Sequence, residues 1–355
     1  ADHLGPIRAE EATTPSVKRA TIAAIARLAG VSKSLVSYAL NGRAGVAEST
    51  RQRILPVAEQ AGFRANSSAR TLAGGPSRVV GLALQRPAQT LAVEPFFMEL
   101  VGGLEAELSA RGFTLLLQMV TDDHAEAVLY QQWASDRRVD GVLICDTRVE
   151  DRRLALVSRL ALPAIVIGPP VAGGSPPSVW SDDARPMTEA VEYLAALGHR
   201  RIARIAGLRE LAHTAVRTAA FEGICGELGL TETTVRWTDY TGASGADATR
   251  ELLSTARPPT ALIYDNDIMA VAGLAVAEEM GRMVPTDLSV IAWDDSPICG
   301  LVHPTLTALS RDIGAYGAAA ARHLLSLIAG EEIAASQAEP AHLVPRGSTA
   351  PAPPQ

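Results

Sequence analysis

Four polar side chains share one face of a short predicted helix near the start of the chain: Lys33, Ser34, Ser37 and Tyr38. The apolar residues of the same segment recur on the opposite face at helical spacing. Ammonium, hydroxyl and phenol groups can reach the phosphates and base edges that a helix meets in the major groove of DNA. The pattern therefore predicts a DNA contact, and an ordinary helical hairpin is the alternative that it leaves open.

Acidic side chains follow two predicted strands in the second half of the chain, in the segments YDND at residues 264–267 and AWDDSP at residues 292–297. Asp146 follows a third predicted strand. The carboxyl ends of parallel strands meet at one edge of a sheet, where α/β proteins bind ligands. A carboxylate or a guanidinium can hold two vicinal hydroxyl groups of a sugar, while an aromatic ring covers its apolar side. These segments predict a ligand site, although each could instead close a turn or cap a helix.

No Walker loop, HExxH or GxSxG motif accompanies these acids. If the protein were an enzyme, the paired acids at residues 182–183 and 294–295 would be its candidate catalytic residues. Adjacent carboxylates, however, point apart more often than they share a substrate. Cys145, Cys225 and Cys299 are far apart and odd in number, which indicates reduced, buried thiols. We therefore expect that the protein is not an enzyme and that it binds no cofactor and no metal.

Three helices are predicted around the DNA-contacting face. The first spans residues 21–29 with Thr21 as its N-cap, and Gly30 ends it. Ser32 caps the second, residues 33–40, so that the pair forms a helix-turn-helix with the recognition helix second. The third, residues 47–61, contains Pro56, which should cost stability unless it kinks the helix.

Positive charge is concentrated in this part of the chain. Residues 18–77 contain nine basic and two acidic side chains, whereas the whole chain carries a net charge of −7. A small basic head on a large acidic body favours DNA over the hairpin alternative. With no run of ~18 consecutive apolar residues and no apolar leader in a polar, disordered arm at residues 1–19, we expect a cytoplasmic protein of two or three domains without a membrane partner.

The motifs AxLAGVS, VSxxLN, ESTRxR and GFxxNxxARxL follow one another in residues 26–72. On these motifs the chain resembles the lactose/galactose repressor family of bacterial transcription regulators. The resemblance implies a helix-turn-helix domain at residues 20–65 and a hinge helix and linker at residues 66–77, with Leu72 wedged into the minor groove of double-stranded operator DNA. The implied DNA-binding residues are Thr21, Ser32, Lys33, Ser34, Ser37, Tyr38, Asn41, Asn66, Ala69, Arg70 and Leu72.

Three departures from the family pattern affect the operator sequence. Leu35 stands where the family commonly has threonine, Tyr38 where it has arginine, and Ala65 where it has proline. Lys33 and Ser34 occupy positions that vary with the operator, and Ser37 matches a phosphate contact. The operator half-site therefore cannot be copied from relatives.

Strands alternate with helices from residue 78 onward, and continuous apolar strands are typical of sheets covered on both faces. The predicted fold class is α/β: a three-helix helix-turn-helix head and a hinge helix, then two doubly wound lobes of periplasmic-binding-protein-like type at residues 78–340. We expect the N-terminal lobe at about 78–170 plus 308–338, and the C-terminal lobe at about 171–307 plus 339–350. A final helix at residues 313–328 precedes a disordered tail at 351–355, without a heptad-bearing tetramerisation helix.

The resemblance also implies the effector site. Arg217, Asn266 and Asp294 match family positions that bind the effector, and Phe97, Tyr240 and Arg311 match positions that contribute in some members; Asp146 is added from its strand end. Asn266 could instead be a helix cap, and Arg217 a surface ion pair. The implied function is a homodimeric repressor that binds a pseudo-palindromic operator and responds to a small molecule, a sugar in this interpretation. A cytoplasmic solute-binding protein without a regulatory role is the alternative.

Overall fold

The structure is a computed structural model that describes residues 21–40, 45–61, 75–86, 94–171 and 176–354. The chain divides into two units, Ala1–Ser77 and Arg78–Gln355. Within the described residues, no helix is long and apolar enough to cross a membrane.

The first unit contains three helices: α1 (Ile22–Ala29), α2 (Lys33–Leu40) and α3 (Glu48–Gln60). Thr21 is the N-cap of α1, as predicted, because its hydroxyl accepts a hydrogen bond from the Ala24 amide at 3.3 Å. Gly30 adopts φ 63° and ends α1 in the left-handed region that suits glycine. Helix α3 continues through Pro56. The apolar faces of the three helices meet in one core around Ile25, Val36 and Ile54.

The second unit alternates strands and helices. Its first half contains β1 (Val79–Leu84), α4 (Pro95–Ala110), β2 (Thr114–Met119), α5 (Asp123–Ser135), β3 (Gly141–Ile144), α6 (Arg152–Arg159), β4 (Ala164–Ile167) and β5 (Ser178–Trp180). There follow α7 (Ala184–Ala196), β6 (Arg201–Ala206), α8 (Ala212–Glu227), β7 (Glu232–Trp237), α9 (Gly242–Leu253), β8 (Ala261–Tyr264), α10 (Asp267–Glu279), β9 (Ser289–Trp293) and α11 (Pro297–Leu301). The last elements are β10 (Thr307–Ser310), α12 (Ile313–Ile328), β11 (Ser336–Gln337) and β12 (His342–Val344).

These strands form two six-stranded sheets, one for each lobe. The first has the order β11-β5-β4-β3-β1-β2 and is parallel throughout; the second has the order β12-β10-β9-β8-β6-β7 and is parallel except for β12. Each sheet has a separate apolar core on either face, which explains why the strand sequences are apolar without alternation. The predicted fold class is confirmed.

The predicted lobe boundaries are wrong at two strands. Strand β5 pairs with β4 in the first sheet, where the Val166 amide donates to the Pro177 carbonyl at 2.9 Å, although the C-terminal lobe was expected to begin before it. Strand β10 pairs with β9 and β12 in the second sheet, although the N-terminal lobe was expected to include most of it. A sequence pattern identifies a strand, but the lobe depends on which neighbour accepts its hydrogen bonds.

The tail is also ordered as far as residue 354, contrary to the prediction. The Ala352 amide donates to the Leu197 carbonyl at 2.8 Å, and the ring of His199 lies 3.1 Å from the Ala350 carbonyl. These contacts hold the chain end against the second lobe.

Candidate ligand-binding cavity

A cavity of about 70 Å³ lies where the carboxyl ends of the two sheets face each other. Its wall contains residues that follow strands of both sheets: Arg86, Asp146, Gly168 and Ser181 from the first, and Tyr240, Asp265, Asp294 and Arg311 from the second. Doubly wound lobes bind ligands at this edge because the loops there are not constrained by the sheet ladder.

A continuous chain of ion pairs crosses one side of the cavity. Asp183, at the start of α7, accepts from Arg217 Nε at 3.0 Å and lies 3.6 Å from Arg311 Nη1. Arg311 Nε in turn donates to Asp294 at 3.1 Å. Burial would lower the pKa of Arg217, but Asp183 and Asp265 raise it above the ordinary value, so its guanidinium stays charged.

A second ion pair also lines the cavity. Arg86, two residues after β1, pairs with Asp146 at 3.0 Å. Glu94, immediately before α4, is another lining residue and is 7% exposed. Burial raises the pKa of Glu94 to about 7 against the lowering influence of Arg86.

Aromatic rings cover the guanidinium groups. The Arg86 guanidinium lies 5.0 Å from the centroid of Tyr240 and 5.7 Å from that of Phe97, which come from different lobes. Arg217 stacks at 3.7 Å on Trp293, and Arg311 lies 5.3 Å from Phe96. These contacts restrict the orientation of the guanidinium groups.

The hydroxyl of Tyr240 lies within hydrogen-bond distance of two side chains of α8. It lies 2.8 Å from His213 Nε2 and 3.0 Å from the Thr214 hydroxyl. Desolvation and the positive charge of Arg217 lower the pKa of His213 well below its usual value, so the imidazole is neutral.

Three cavity residues adopt a left-handed backbone: Asp146 (φ 50°), Tyr240 (φ 69°) and Asp294 (φ 60°). Each follows the carboxyl end of a strand, β3, β7 or β9. Residues other than glycine seldom adopt this conformation, and they do so where the surrounding structure compels it, often at binding sites. The turn redirects each side chain from the sheet into the cavity.

Six of the seven predicted effector residues line the cavity: Phe97, Asp146, Arg217, Tyr240, Asp294 and Arg311. The structure thus brings them together, and their binding of an effector stays a prediction.

Asn266 is not among the residues that line the cavity, and its contact with an effector stays a prediction. Its Oδ1 accepts from the Met269 amide at 2.8 Å as the N-cap of α10, and its Nδ2 donates to the Tyr240 carbonyl at 3.0 Å. Both ends of the amide are used within the protein, so Asn266 supports the turn at Tyr240 from behind.

Sequence reasoning missed Arg86, Glu94, Asp183 and His213, which also line the cavity. Arg86 follows a strand and could have been found by the same rule as Asp146. His213 precedes Arg217 by four residues on α8, the spacing that places two side chains on one helical face. Asp183 belongs to the acid pair at residues 182–183, which the sequence offered only as an enzyme candidate, and Glu94 precedes a helix as many other acids do.

The predicted DNA-binding residues have mixed roles in the first unit. Lys33, Ser34 and Tyr38 are exposed on α2, and Ser37 is half-buried. The Ser32 hydroxyl caps α2 by accepting from the Leu35 amide at 3.2 Å. Five predicted residues lie outside the described part of the chain: Asn41, Asn66, Ala69, Arg70 and Leu72. Their DNA contacts, like those of the exposed residues, stay predictions.

Each of the two units matches a known protein family or domain. Residues 21–66 match the model for bacterial regulatory proteins of the lacI family, and residues 191–349 match the periplasmic binding protein-like domain. The transcriptional regulator CelR of Thermobifida fusca is 31% identical over 88% of this chain and 93% of its own.

Two solved structures resemble the fold over nearly the whole chain. The complex of CelR with cellobiose has a TM-score of 0.71 at 30% identity, covering 93% of this chain and 100% of that one. The lac repressor dimer bound to operator and an anti-inducer has a TM-score of 0.82 at 26% identity, covering 94% and 100%.

The fold, the cavity and these matches define a class: a DNA-binding transcription regulator with a ligand-binding domain, not an enzyme. The chain belongs to the lacI family of bacterial regulatory proteins. The solute-binding alternative without a regulatory role is therefore wrong.

Proposed function

We propose that this regulator is a repressor that binds a pseudo-palindromic operator as a homodimer and takes a neutral sugar in the cavity between its lobes. The relative CelR is known in complex with cellobiose, and the lac repressor as a dimer on its operator. Both observations support extending the same kinds of partner to this chain.

The ion-pair chain from Arg217 through Asp183 and Arg311 to Asp294 is the observation that carries the sugar proposal. Carboxylates and guanidiniums alternate along it, and each of these groups can bind two vicinal hydroxyls. Since every cation in the chain already faces a carboxylate, a charged ligand would leave one buried charge unbalanced. A neutral polyhydroxylated ligand avoids that cost, and the rings of Phe97 and Tyr240 suit its apolar face.

The volume of the cavity indicates how a ligand enters. Ligand pockets usually measure roughly 300 to 1,000 Å³, whereas this one measures about 70 Å³. We therefore infer that the lobes separate to admit a sugar and close again over it. The coupling of lobe closure to DNA binding is the kind of hinge transition that such an effector would control.

A ligand screen with a matched pair of variants tests the effector. We expect calorimetry with mono- and disaccharides, cellobiose included, to give saturable binding, and nucleosides and purines to give none. Asp294→Asn should abolish sugar binding, since the carboxylate acceptor is lost, while operator affinity is retained. Asp312→Asn, an exposed cap of α12 outside the cavity, should behave as wild type. Unchanged sugar affinity in Asp294→Asn would show that the cavity is not the effector site.

Binding to palindromic DNA tests the repressor assignment. We expect the protein to bind a palindrome in its own promoter region as a dimer, with affinity that falls steeply as salt rises. Lys33→Ala should weaken binding by about tenfold if the ammonium contacts the operator. Gln60→Ala, at the exposed end of α3, is the control. Failure to bind any such DNA at low salt, with or without sugar, would refute the proposal.

A further inference from the structure

A groove of about 440 Å³ lies between α5 and α6 on the first lobe. All its lining residues belong to these two helices or to the loop before α6, and none of them lines the cavity between the lobes. Small-molecule pockets usually measure roughly 300 to 1,000 Å³. The groove is therefore large enough for a small molecule as it stands.

Two of the four arginines in its lining already have counterions. Arg148 Nη2 lies 2.7 Å from Asp123. Arg153 is buried, and its Nη1 and Nη2 lie 2.9 Å from Glu126 and 2.6 Å from Asp151. These two cations hold α6 and the loop before it against α5, so they form part of the wall of the groove.

The other two arginines, Arg152 and Arg159, are exposed and make no ion pair or side-chain hydrogen bond within the described part of the chain. Arg152 is the first residue of α6, and a positive charge at that end opposes the helix dipole. The stability of the helix therefore does not account for it. Because the two arginines are seven residues apart, they share one face of α6 and lie about 10 Å apart along its axis.

The surface between these arginines is apolar. Leu156 lies four residues after Arg152 and three before Arg159, so it occupies the same helical face. Ala127 and the exposed amide of Gln131 line the facing side on α5. This arrangement is complementary to a molecule that has an anionic group at each end and a carbon chain between them.

We propose that this groove is a second ligand site, which binds a small organic dianion through Arg152 and Arg159. Each guanidinium offers two parallel N–H groups to a carboxylate or a phosphoryl group, and the carbon chain of the ligand packs on Leu156. A ligand with one anionic group uses only one of the arginines. The site therefore selects molecules with two oxyanion groups over those with one.

Glu150 also lines the groove, and it makes no ion pair among the residues that the structure describes. Its carboxylate repels an anionic ligand and so lowers the affinity of the site. Removing this charge should strengthen binding, whereas removing either free arginine should weaken it. The two opposite effects distinguish an anion site from a cation site in the same groove.

The position of the groove predicts that its ligand binds independently of the effector. Since every lining residue lies in the first lobe, separation and closure of the lobes leave the walls of the groove intact. Each arginine that lines the cavity between the lobes, by contrast, already faces a carboxylate. We therefore expect a dianion to bind in the groove equally well with and without sugar.

Calorimetry on the full chain tests the proposal, in Tris at low ionic strength because salt screens exposed charges. The probes are suberate, which is a linear dicarboxylate, hexanediol bisphosphate, and octanoate, which has the chain length of suberate and one carboxylate. We expect saturable one-to-one binding of at least one dianion, and binding of octanoate that is about tenfold weaker or less. The dianion that binds more tightly identifies the oxyanion group.

Variants of the lining locate the binding. Arg152→Gln and Arg159→Gln should each weaken dianion binding about tenfold, since each removes a charge-assisted contact, and both should fold as wild type because the two side chains are exposed. Glu150→Gln should strengthen it about twofold. Arg138→Gln is the matched control and should bind as wild type, because Arg138 is exposed three residues after α5 and does not line the groove.

The proposal is overturned if neither dianion binds, if octanoate binds as tightly, or if both arginine variants of the groove bind like Arg138→Gln. Displacement of the dianion by cellobiose, or loss of its binding in Asp294→Asn, would place it in the cavity between the lobes and would also overturn the proposal. If no sugar binds, the proposed function fails, and the dianion measurements on wild type and Asp294→Asn still test the groove.

Discussion

At the scale of single residues, Asp183 joins two of the predicted cavity residues, Arg217 and Arg311. It lies in the crossover from β5 to α7 and binds Arg217 on α8, while Arg311 follows β10 in the crossover back to the first lobe. One carboxylate thus ties two of the three connections between the lobes. Its side chain and those of both arginines are less than a tenth exposed, so solvent screens these pairs little.

We expect Asp183→Asn to lower the free energy of unfolding by about 3 kcal/mol, because two buried guanidiniums would lose their shared counterion. Urea denaturation followed by circular dichroism measures the change. Asp182→Asn is the adjacent control: Asp182 accepts from the Ala184 amide at 3.0 Å, and asparagine can make the same cap. Equal stability of the two variants would show that the Asp183 ion pairs contribute nothing net.

Glu94 makes stability depend on pH in a direction opposite to that of most acids. Its folded-state pKa of about 7 lies above the value of 4.5 for an ordinary glutamate, so the folded state binds the proton more tightly. The stability that this supplies is present at low pH and is lost as the pH rises from about 4.5 to about 7. Without sugar, Glu94→Gln should be more stable than wild type at pH 8, by at most about 3 kcal/mol. Thermal unfolding of wild type and Glu94→Gln at pH 5 and pH 8 measures the change. A stability difference between the two proteins that is the same at both pH values would contradict the prediction.

At the scale of secondary-structure elements, the first lobe depends on a close crossing of α4 and α12. Gly103 faces Gly314 at this crossing, and a Cβ at residue 103 would overlap the Gly314 carbonyl group. Gly317 similarly faces the Leu100 backbone. The absence of side chains at these positions lets the two helices approach, and α4 positions Phe97 and Glu94 at its amino end.

Adjacent glycines on α4 offer a matched test of this packing. Gly103→Ala should destabilise the protein by about 1 to 3 kcal/mol, because the backbone must shift to admit the methyl group. Gly102→Ala, which would meet nothing within 4 Å, should stabilise it by about 0.5 to 1 kcal/mol through helix propensity. Chemical denaturation distinguishes the two, and a shared sign would argue against the close crossing.

At the scale of the ligand-binding unit, the two lobes share a short backbone ladder at the cavity edge. The Ala212 amide donates to the Thr147 carbonyl at 2.7 Å, and the Val149 amide donates to the Glu210 carbonyl at 3.1 Å. These bonds join the loop after β3 to the segment before α8 and require no particular side chain. They stabilise the arrangement in which the lobes enclose the cavity.

Ala212→Pro removes one of these hydrogen bonds and is compatible with the local backbone conformation. Ala212 is the first residue of α8, where proline is well tolerated, and Leu211 before it has the extended conformation that proline prefers. We expect about a fivefold loss of sugar affinity, corresponding to about 1 kcal/mol for one hydrogen bond that the enclosed form makes. Ala212→Ser retains the amide donor and should bind as wild type. Calorimetry measures the sugar affinity of both variants. Unchanged affinity in Ala212→Pro would show that the ladder does not stabilise the sugar-bound form.

Most helices and strands, and much of the site, could be predicted from local sequence patterns. Periodicity and caps located helix α12 at its observed bounds and Thr21 at the start of α1. The strand-end rule, together with the family motifs, identified Asp146 and Asp294 as cavity residues. Such features can be read locally, because helix and strand periods and cap chemistry depend on residues only a few positions apart.

Contacts between elements and side chains distant in the chain became visible only in the folded structure. The sequence of strand β10 is compatible with either sheet, and its pairing with β9 is seen only in the structure. The structure likewise shows that the Asn266 side-chain amide donates to the Tyr240 carbonyl. Arg86 and Glu94 line the same cavity because the carboxyl end of β1 and the amino end of α4 both reach it. The physical reason is that hydrogen-bond partners and burial are set by contacts between distant parts of the chain, which a local pattern does not encode.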